Sequence, residues 1–570
     1  MKKHYETHVE DTDKLISVAG PVLDYKSWYE QYRKLMEEQA QRKYGLYTPT
    51  SEGDDDDFPS ITGMIARYSA LGLTNEQMTE NPVWKDLTGN GHDLQMKNFA
   101  WGGMSGVGGY GDENYQTFYK FTLDDYVFIA SPPGVEHMNF TFRVTGLQPG
   151  NKLTLAFFGT TNTVYGTWDK DGIYTVDADI VEAGKPTYFY NGYGATRGEF
   201  TIEILPLYPG ALVFDGVDDY GTCDNFPILT KEKGYTVVAL RQWISMGEGI
   251  SGLVSNVKNW FNDGAFVLEY NSNNATNKFV NRPVSFGNVN IEMDLPNNFT
   301  YQTSKSYKGV PITTGSFKGT NSLFVGKLNN IIGNCSNVAI WELVFLDHDA
   351  TEEELTKIKD YFVKTYPWLF PDQAWTVTGK TNEDEDRATI ANITGNGNDL
   401  VLSNFGFAEG SGYNEEGEYA GYLVTDGVDD RVQDSSFKLN KDWTLVGEWV
   451  FLNQKATNAG IVKPFSFVVY NRTTGLSLFI NSGTSGTTIE NVKSIKAICS
   501  DGRICLDDWS EMLINKDQNI TSSTSVLSIG FNGTAYTQIA FKNLGIYNNQ
   551  LLSKDDCIKA YNYLQTLKSK

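Results

Sequence analysis

Cysteine is scarce in this 570-residue chain: five residues, none of them in a CxxC pair. That spacing excludes a thiolate zinc site and a thioredoxin-type redox motif, and the odd, scattered count fits reduced thiols in a protein made in a cytoplasm. Histidine is as rare, again five, which leaves little for metal chemistry built on imidazole. Positive charge is in deficit, with 47 Lys and Arg against 70 Asp and Glu and a net charge of −23. Phosphate backbones are bound through Lys/Arg patches, so nucleic acid is excluded as a partner. An anionic membrane surface repels such a chain. No run of about 18 apolar residues is present, so no membrane insertion is expected. The opening MKKHYETHVEDTDKL has no apolar stretch of the secretory kind. GxSxG, HExxH and P-loop motifs are missing too, and no catalytic set is expected.

What the chain does have is repetition. TGNGHDL (Thr88–Leu94) returns as TGNGNDL (Thr394–Leu400). GLTNE (Gly72–Glu76) is echoed by GKTNE (Gly379–Glu383), and LQMKNFAW (Leu94–Trp101) by LVLSNFGF (Leu400–Phe407). LVFDGVDDY (Leu212–Tyr220) pairs with LVTDGVDDR (Leu423–Arg431), and LFVGKLN (Leu323–Asn329) with LSIGFNG (Leu527–Gly533). Matched blocks in one order make an internal repeat, which takes precedence over any local reading. The offset between copies is 306 residues at the TGNG block and 211 at DGVDD. The first copy therefore carries roughly 95 additional residues between Trp101 and Leu212. The expected layout is a lead segment with an acidic linker (1–60), a first domain (61–110 plus 211–368), an insert within it (111–210), and a second copy of the domain (369–570).

Short runs rich in Val, Ile, Phe and Tyr, such as YTVVALRQWI and WTLVGEWVFL, alternate with Gly, Asn and Asp turns. This pattern predicts antiparallel sandwiches. Asp215-Gly216 and Asp426-Gly427 have the chemistry of hairpin turns. One helix closes each copy: Thr351…Glu354 and Ser553…Asp556 have capping-box spacing, and Leu355, Ile358, Tyr361 and Phe362 form the buried stripe of the first. Trp243, Trp341, Trp443 and Trp449 lie in strand patterns and are assigned to cores. The insert (MNFTFRVTG, DGIYTVDADIV, GEFTIEILPL) reads as a small, immunoglobulin-like β-sandwich. Its DADIVE stretch (Asp177–Glu182) has the alternation of a glucanase carboxylate strand, but it starts with Asp and lies in the insert. It is read as a solvent-facing acidic strand. His92 sits in the repeated opening, where its counterpart is Asn398, and is read as a polar turn residue.

Two further groups are candidate functional residues. Tyr25, Trp28, Tyr29, Tyr32, Leu35 and Met36 fall on one face of a helix over residues 24–45. The acidic linker TSEGDDDDFPS follows. The stripe can pack on its own chain, or anchor the protein to other proteins or to copies of itself as a homo-oligomer. Asp215, Asp218 and Asp219, with Asp426, Asp429 and Asp430, gather carboxylates at two hairpin ends. Calcium takes such oxygen ligands, while Asp and Gly are equally what a turn uses without an ion. Apart from calcium, no cofactor is expected.

The TGxGxDL opening, the [FT]DGVDD hairpin with its following Thr-Val/Leu strand, and the closing strand-to-helix signature resemble the laminin-G/concanavalin A-like lectin superfamily. The resemblance covers 61–110 plus 211–368, and 369–570. It implies an all-β fold of tandem jelly-roll sandwiches, and some laminin-G relatives bind calcium. The superfamily holds lectins, adhesion modules and hydrolases, so it leaves activity open. LTNEQMTENPVWKDLTGNGHDLQMKNFAW and GKTNEDEDRATIANITGNGNDL resemble proteins of phages infecting gut Bacteroidetes, including crAss-like phages. That resemblance implies a structural virion protein, such as a head or tail fibre or a capsid decoration. Its lead segment would bind other virion proteins, and its sandwiches would face outward toward host or gut glycans. A bacterial surface glycan-binding protein and a polysaccharide depolymerase are the alternatives.

Overall fold

The computed structural model describes residues 57–110, 118–121, 126–129, 137–157, 162–181, 187–192, 199–245, 250–257, 266–272, 280–282, 291–292, 298–311, 319–329, 335–434, 439–453, 466–472, 475–482, 485–490, 494–513, 527–531 and 536–567. The helix expected over 24–45, with its stripe from Tyr25 to Met36, lies outside the described residues. Residues from Asp57 onward form one compact unit. Its strands make antiparallel sheets, as the alternation of apolar runs and turns requires.

The first copy consists of two eight-stranded sheets. At the centre of one, Asn337–Leu346 pairs on one side with Thr236–Ser245 and on the other with Leu212–Asp215 and Met64–Ser69. The facing sheet runs from Ile291–Glu292 through Val267–Ser272, Ile250–Val257, Gly319–Val325 and Tyr220–Cys223 to Leu94–Lys97 and Val83–Trp84. Inner-face residues such as Trp84, Phe214, Trp243, Leu268 and Phe345 close the core between them. Opposite Leu240 and Arg241, the strand Asn337–Leu346 carries a bulge at Trp341.

The second copy repeats the central arrangement. Gln538–Asn548 pairs with Trp443–Asn453 on one side and with Tyr422–Val424 and Gln373–Thr376 on the other. A bulge recurs opposite Glu448 and Trp449, at Lys542, and bulges bend a strand and re-aim its side chains. The facing sheet holds four strands, ending in Leu527–Ile529, and a separate three-stranded sheet spans Ser466–Glu490. Trp243, Trp341, Trp443 and Trp449 are all buried.

Within the first copy, two four-stranded sheets form a further sandwich from strands between Phe118 and Leu205. Its core is aromatic, with Phe140, Phe142 and Phe189 packed together. The strand Gly172–Asp179 carries Asp177 and Asp179, whereas Glu182 is outside the described residues.

Three α-helices are described. α1 (Asn75–Glu80) starts at a Thr74–Gln77 capping box. α2 (Glu352–Thr365) starts at the Thr351–Glu354 box, both halves of which form, and buries Ile358 and Phe362, while Leu355 and Tyr361 of the expected stripe are only partly covered. α3 (Lys554–Gln565) has half a box: Ser553 accepts from the Asp556 amide. The shorter Asp556 carboxylate instead accepts from the Ser553 hydroxyl at 2.7 Å.

A second core joins the copies. Trp341, Phe362, Tyr366 and Trp368 of the first pack in one cluster with Tyr547, Tyr561 and Leu564 of the second. Tyr547 donates to the Trp368 carbonyl at 2.8 Å, Asn298 donates to the Tyr563 hydroxyl at 3.0 Å, and Gln242 donates to Thr566 at 2.9 Å. The inner sandwich touches the second copy as well: Lys170 pairs with Asp508, and the Ile173 amide meets the Asp508 carbonyl at 3.4 Å.

Candidate functional site

The repeated letters of the sequence come together at corresponding places in the two copies. In the first TGNG loop, Asp86 Oδ1 accepts from the Thr88 amide at 3.0 Å, the Thr88 hydroxyl at 2.7 Å and the Arg67 amide at 3.2 Å. In the second, Asn392 Oδ1 accepts from Thr394 at 3.1 and 3.0 Å and from the Ala374 amide at 3.2 Å. Asn90 ties the loop back to the first strand of its copy, at 2.8 Å to Ile65 O, and Asn396 to Asp372 O, just ahead of the second copy's first strand, at 2.9 Å. The glycines between them all have φ from 76° to 80°, a region open to glycine at little cost. The His92 ring packs edge-on against Phe226 at 5.4 Å, and its carbonyl accepts from Tyr68, just as the Asn398 carbonyl accepts from Trp375.

Beside this loop stands the DGVDD hairpin. Asp215 Oδ1 caps the turn, accepting from the amides of Val217 at 2.8 Å and Asp218 at 3.3 Å. Asp219 Oδ2 accepts from the Asp215 amide at 3.0 Å. The second hairpin repeats each bond: Asp426 Oδ1 takes Val428 and Asp429 at 2.7 and 3.2 Å, and Asp430 Oδ2 takes Asp426 at 2.7 Å. Gly216 has φ +81°, and a Cβ there would come within 2.7 Å of Asn337, so the turn needs glycine on two counts.

The two expected acidic triads therefore form. In each, one carboxylate oxygen from every aspartate lies within 4.8 Å of the others. Asp215 and Asp426 are half-buried, Asp218 and Asp429 exposed, Asp219 and Asp430 buried. Burial, then the neighbouring Asp215, pushes Asp219 up to about 7. Burial pushes Asp430 up to about 6, against the backbone and Ser411 bonds that favour its charge. This geometry suits two roles: a turn that satisfies its own amides, and a cradle for a hard cation.

Several members of the constellation were not identified from the sequence. Asn98 donates to the Asp218 carbonyl at 3.1 Å and Asn404 to that of Asp429 at 2.9 Å, both from positive φ. Ser105 and Ser411 stand beside the buried aspartates. Trp101 and Phe407 follow, each at positive φ and partly exposed. The signal was present in the letters NF and SG, repeated at 98–99 and 404–405 and at 105–106 and 411–412. Behind each hairpin a cation meets a ring: Lys327 lies 4.8 Å from the Tyr220 centroid, and Arg431 lies 4.7 Å from that of Phe531. Residue for residue, the copies have exchanged ring and cation.

No family model matches this chain, and no curated protein matches it. Among solved structures, a Trypanosoma rangeli sialidase in complex with sialic acid aligns with 73% of this chain and 77% of its own, at 9% identity and a TM-score of 0.24. The binding domain of botulinum neurotoxin serotype D covers 60% of this chain and 88% of its own, at 10% identity and a TM-score of 0.22. Values this low carry no argument about a shared site.

Proposed function

We propose that this protein is a structural component of a tailed-phage virion, a head or tail fibre or a capsid decoration. In this reading it displays its paired sandwiches for adhesion to host or gut glycans, without catalysis of its own. The observation that carries the reading is the pairing itself. Two copies with the same hairpin end are locked through a buried aromatic seam around Trp368 and Tyr547. A rigid tandem presents two like ends in fixed relation, and many tandems on one particle raise avidity without any new contact. The phage-like wording of the repeat opening supports the same reading. The stripe Tyr25, Trp28, Tyr29, Tyr32, Leu35 and Met36 is assigned to anchorage on other virion proteins or to self-association.

Antibody labelling of purified particles, combined with a glycan array probed with the bead-coupled full chain, tests this. Labelled particles and retained glycans, with oligosaccharides of unchanged length, are the expected outcome. Labelled particles without glycan retention would reduce the role to architecture. Unlabelled particles would remove the virion reading, and shortened oligosaccharides would replace adhesion with depolymerase activity.

A further inference from the structure

We infer that Lys496 and Gln565 are a modification site at which the chain joins itself by an amide bond, with Glu448 moving the protons. Lys496 is on the strand Ser494–Cys499, Glu448 on the neighbouring strand Trp443–Asn453, and Gln565 in the last turn of α3. The Glu448 carboxylate holds both partners at once. Its Oε1 accepts from the Lys496 amine at 3.2 Å, and its Oε2 accepts from the Gln565 amide nitrogen at 3.0 Å. An amine and the amide nitrogen it would displace are thus bonded to one proton carrier. Tyr561, one turn before Gln565, accepts from the same amine at 2.8 Å and fixes its place.

The setting suits the reaction. The Lys496 and Glu448 side chains are only 11% and 13% exposed, so little water competes with the amine. Asn543 lies directly across from Glu448 in the sheet, and residues so paired share a face. It is wholly buried, with neither its amide nitrogen nor its oxygen partnered. An ion pair alone does not account for that cost. Its Nδ2 is a spare donor for the oxygen that turns negative when an amine adds to an amide carbon. The first copy has no such carrier, because Leu240 stands where Glu448 does.

At rest the proton is on the lysine. Burial raises the Glu448 carboxyl, but Lys496 and Lys542 outweigh it and bring it down to about 2. The step is therefore slow, and it happens once per chain. Glu448 takes a proton from Lys496 and frees the amine as a nucleophile. Nζ adds to Gln565 Cδ. Glu448 passes its proton to Nε2 and takes the surplus proton from Nζ. The Cδ–Nε2 bond breaks, and the ammonia carries the last proton away as ammonium. A lysine ammonium and a primary amide become a secondary amide and an ammonium ion, the carboxylate is regenerated, and no oxidant is consumed. The bond ties the closing helix of the second copy to its sheet.

The inference does not rest on the glycan or virion reading. The full chain is held at neutral pH after purification, weighed intact by mass spectrometry and then digested. The expected chain is lighter than its sequence by one ammonia, and its digest contains a branched peptide joining Lys496 to Gln565. Lys496→Arg keeps the charge but not the nucleophile, Gln565→Met removes the amide from a half-exposed helix end, and Glu448→Gln removes the carrier. Each should keep the full mass. The wild-type reading needs no variant, so a variant that fails to fold leaves the test intact. A wild-type chain of full mass, an ammonia lost within an unbranched peptide, a branch at other residues, or a branch that forms as fast in Glu448→Gln would each overturn the assignment.

Discussion

In the first sandwich, Glu269 lies between the sheets. It takes two bonds from Arg241, at 2.7 and 2.6 Å, with others from Trp243, Thr300 and Tyr307. In the second, the position of Arg241 after the shared bulge belongs to Trp449, and the position of Leu240 belongs to Glu448. Glu448 pairs with Lys496 at 3.2 Å and accepts from Gln565 of α3 at 3.0 Å. The first copy has the Arg241–Glu269 pair inside the sandwich and a second, Arg67 with Glu342 at 3.2 Å, on the outer face beneath its closing helix; the second copy has its buried pair on that outer face. The hydrogen bonds of the TGNG loop and the DGVDD hairpin coincide almost bond for bond. Duplication has thus held the residues that satisfy backbone amides, because losing such a partner leaves a buried N–H unpaired. Both copies have an ion pair beneath the closing helix, but the pair between the sheets has not been held: Trp449 stands where Arg241 does.

The comparison is broken most forcefully at these ion pairs. Glu269→Gln strands a buried guanidinium and should destabilise the first sandwich by about 3–5 kcal/mol. Glu448→Gln removes a less enclosed pair and should cost about 1.5–3 kcal/mol. Peptide-resolved hydrogen exchange in denaturant reads the copies separately, and a larger loss in the second would reverse the argument.

Next come the loop residues Asp86 and Asn392. Asn392 donates its amide to Gln373 Oε1 and to the Gly397 carbonyl, so Asn392→Asp sets oxygen against the fixed Gly397 carbonyl and should cost about 2–3 kcal/mol. Asp86→Asn disturbs chiefly the His92 amide bond at 3.2 Å and should cost about 1 kcal/mol. Equal losses, read by the same exchange measurement, would mean that the loops are not tuned to their own partner.

Acidity separates the hairpins more gently. A carboxyl raised on folding binds its proton more tightly in the native state, so its contribution is complete below about 4 and disappears as pH rises through the folded value. For Asp219 that value is about 7 and for Asp430 about 6. Metal-free wild type should therefore gain stability relative to Asp219→Asn as pH falls from about 7 to about 4. The gain relative to Asp430→Asn should begin only near 6. Parallel melting curves across that range would refute both shifts.

The smallest effect concerns the exchanged ring and cation. Tyr220→Arg or Lys327→Phe alone should cost about 0.5–1 kcal/mol, and the double change should restore wild-type melting. Additive losses would show that the two positions are not coupled.

Much of this was legible in the letters. Asp-Gly marked both hairpins, Thr351 and Glu354 marked a capping box that forms, and the four strand tryptophans are core residues. The half-formed cap at Ser553 was not legible, because it turns on the reach of Asp against Glu. The seam between copies was hidden for a different reason: Trp368 and Tyr547 are apolar in any reading, and only the docked helices decide which surface they cover. Trp101 and Phe407 adopt a left-handed backbone that no propensity predicts, held there by the turn that brings Ser105 and Ser411 to the aspartates.

The chain leaves the first sandwich for its inner one after Gly109 and returns at Leu207. The two crossings run side by side: Leu207 donates to Gly109 O at 2.7 Å and Tyr208 to Gly108 O at 2.8 Å. Such a junction works as a socket. Whatever is plugged in at this point needs only closely spaced ends, and the sheet around it stays shut, since Gly108 also donates to Ala211 O at 2.8 Å. A lineage can therefore trade the cargo carried on this arm without redesigning the body that carries it, and a laboratory can do the same with a short turn or a foreign domain.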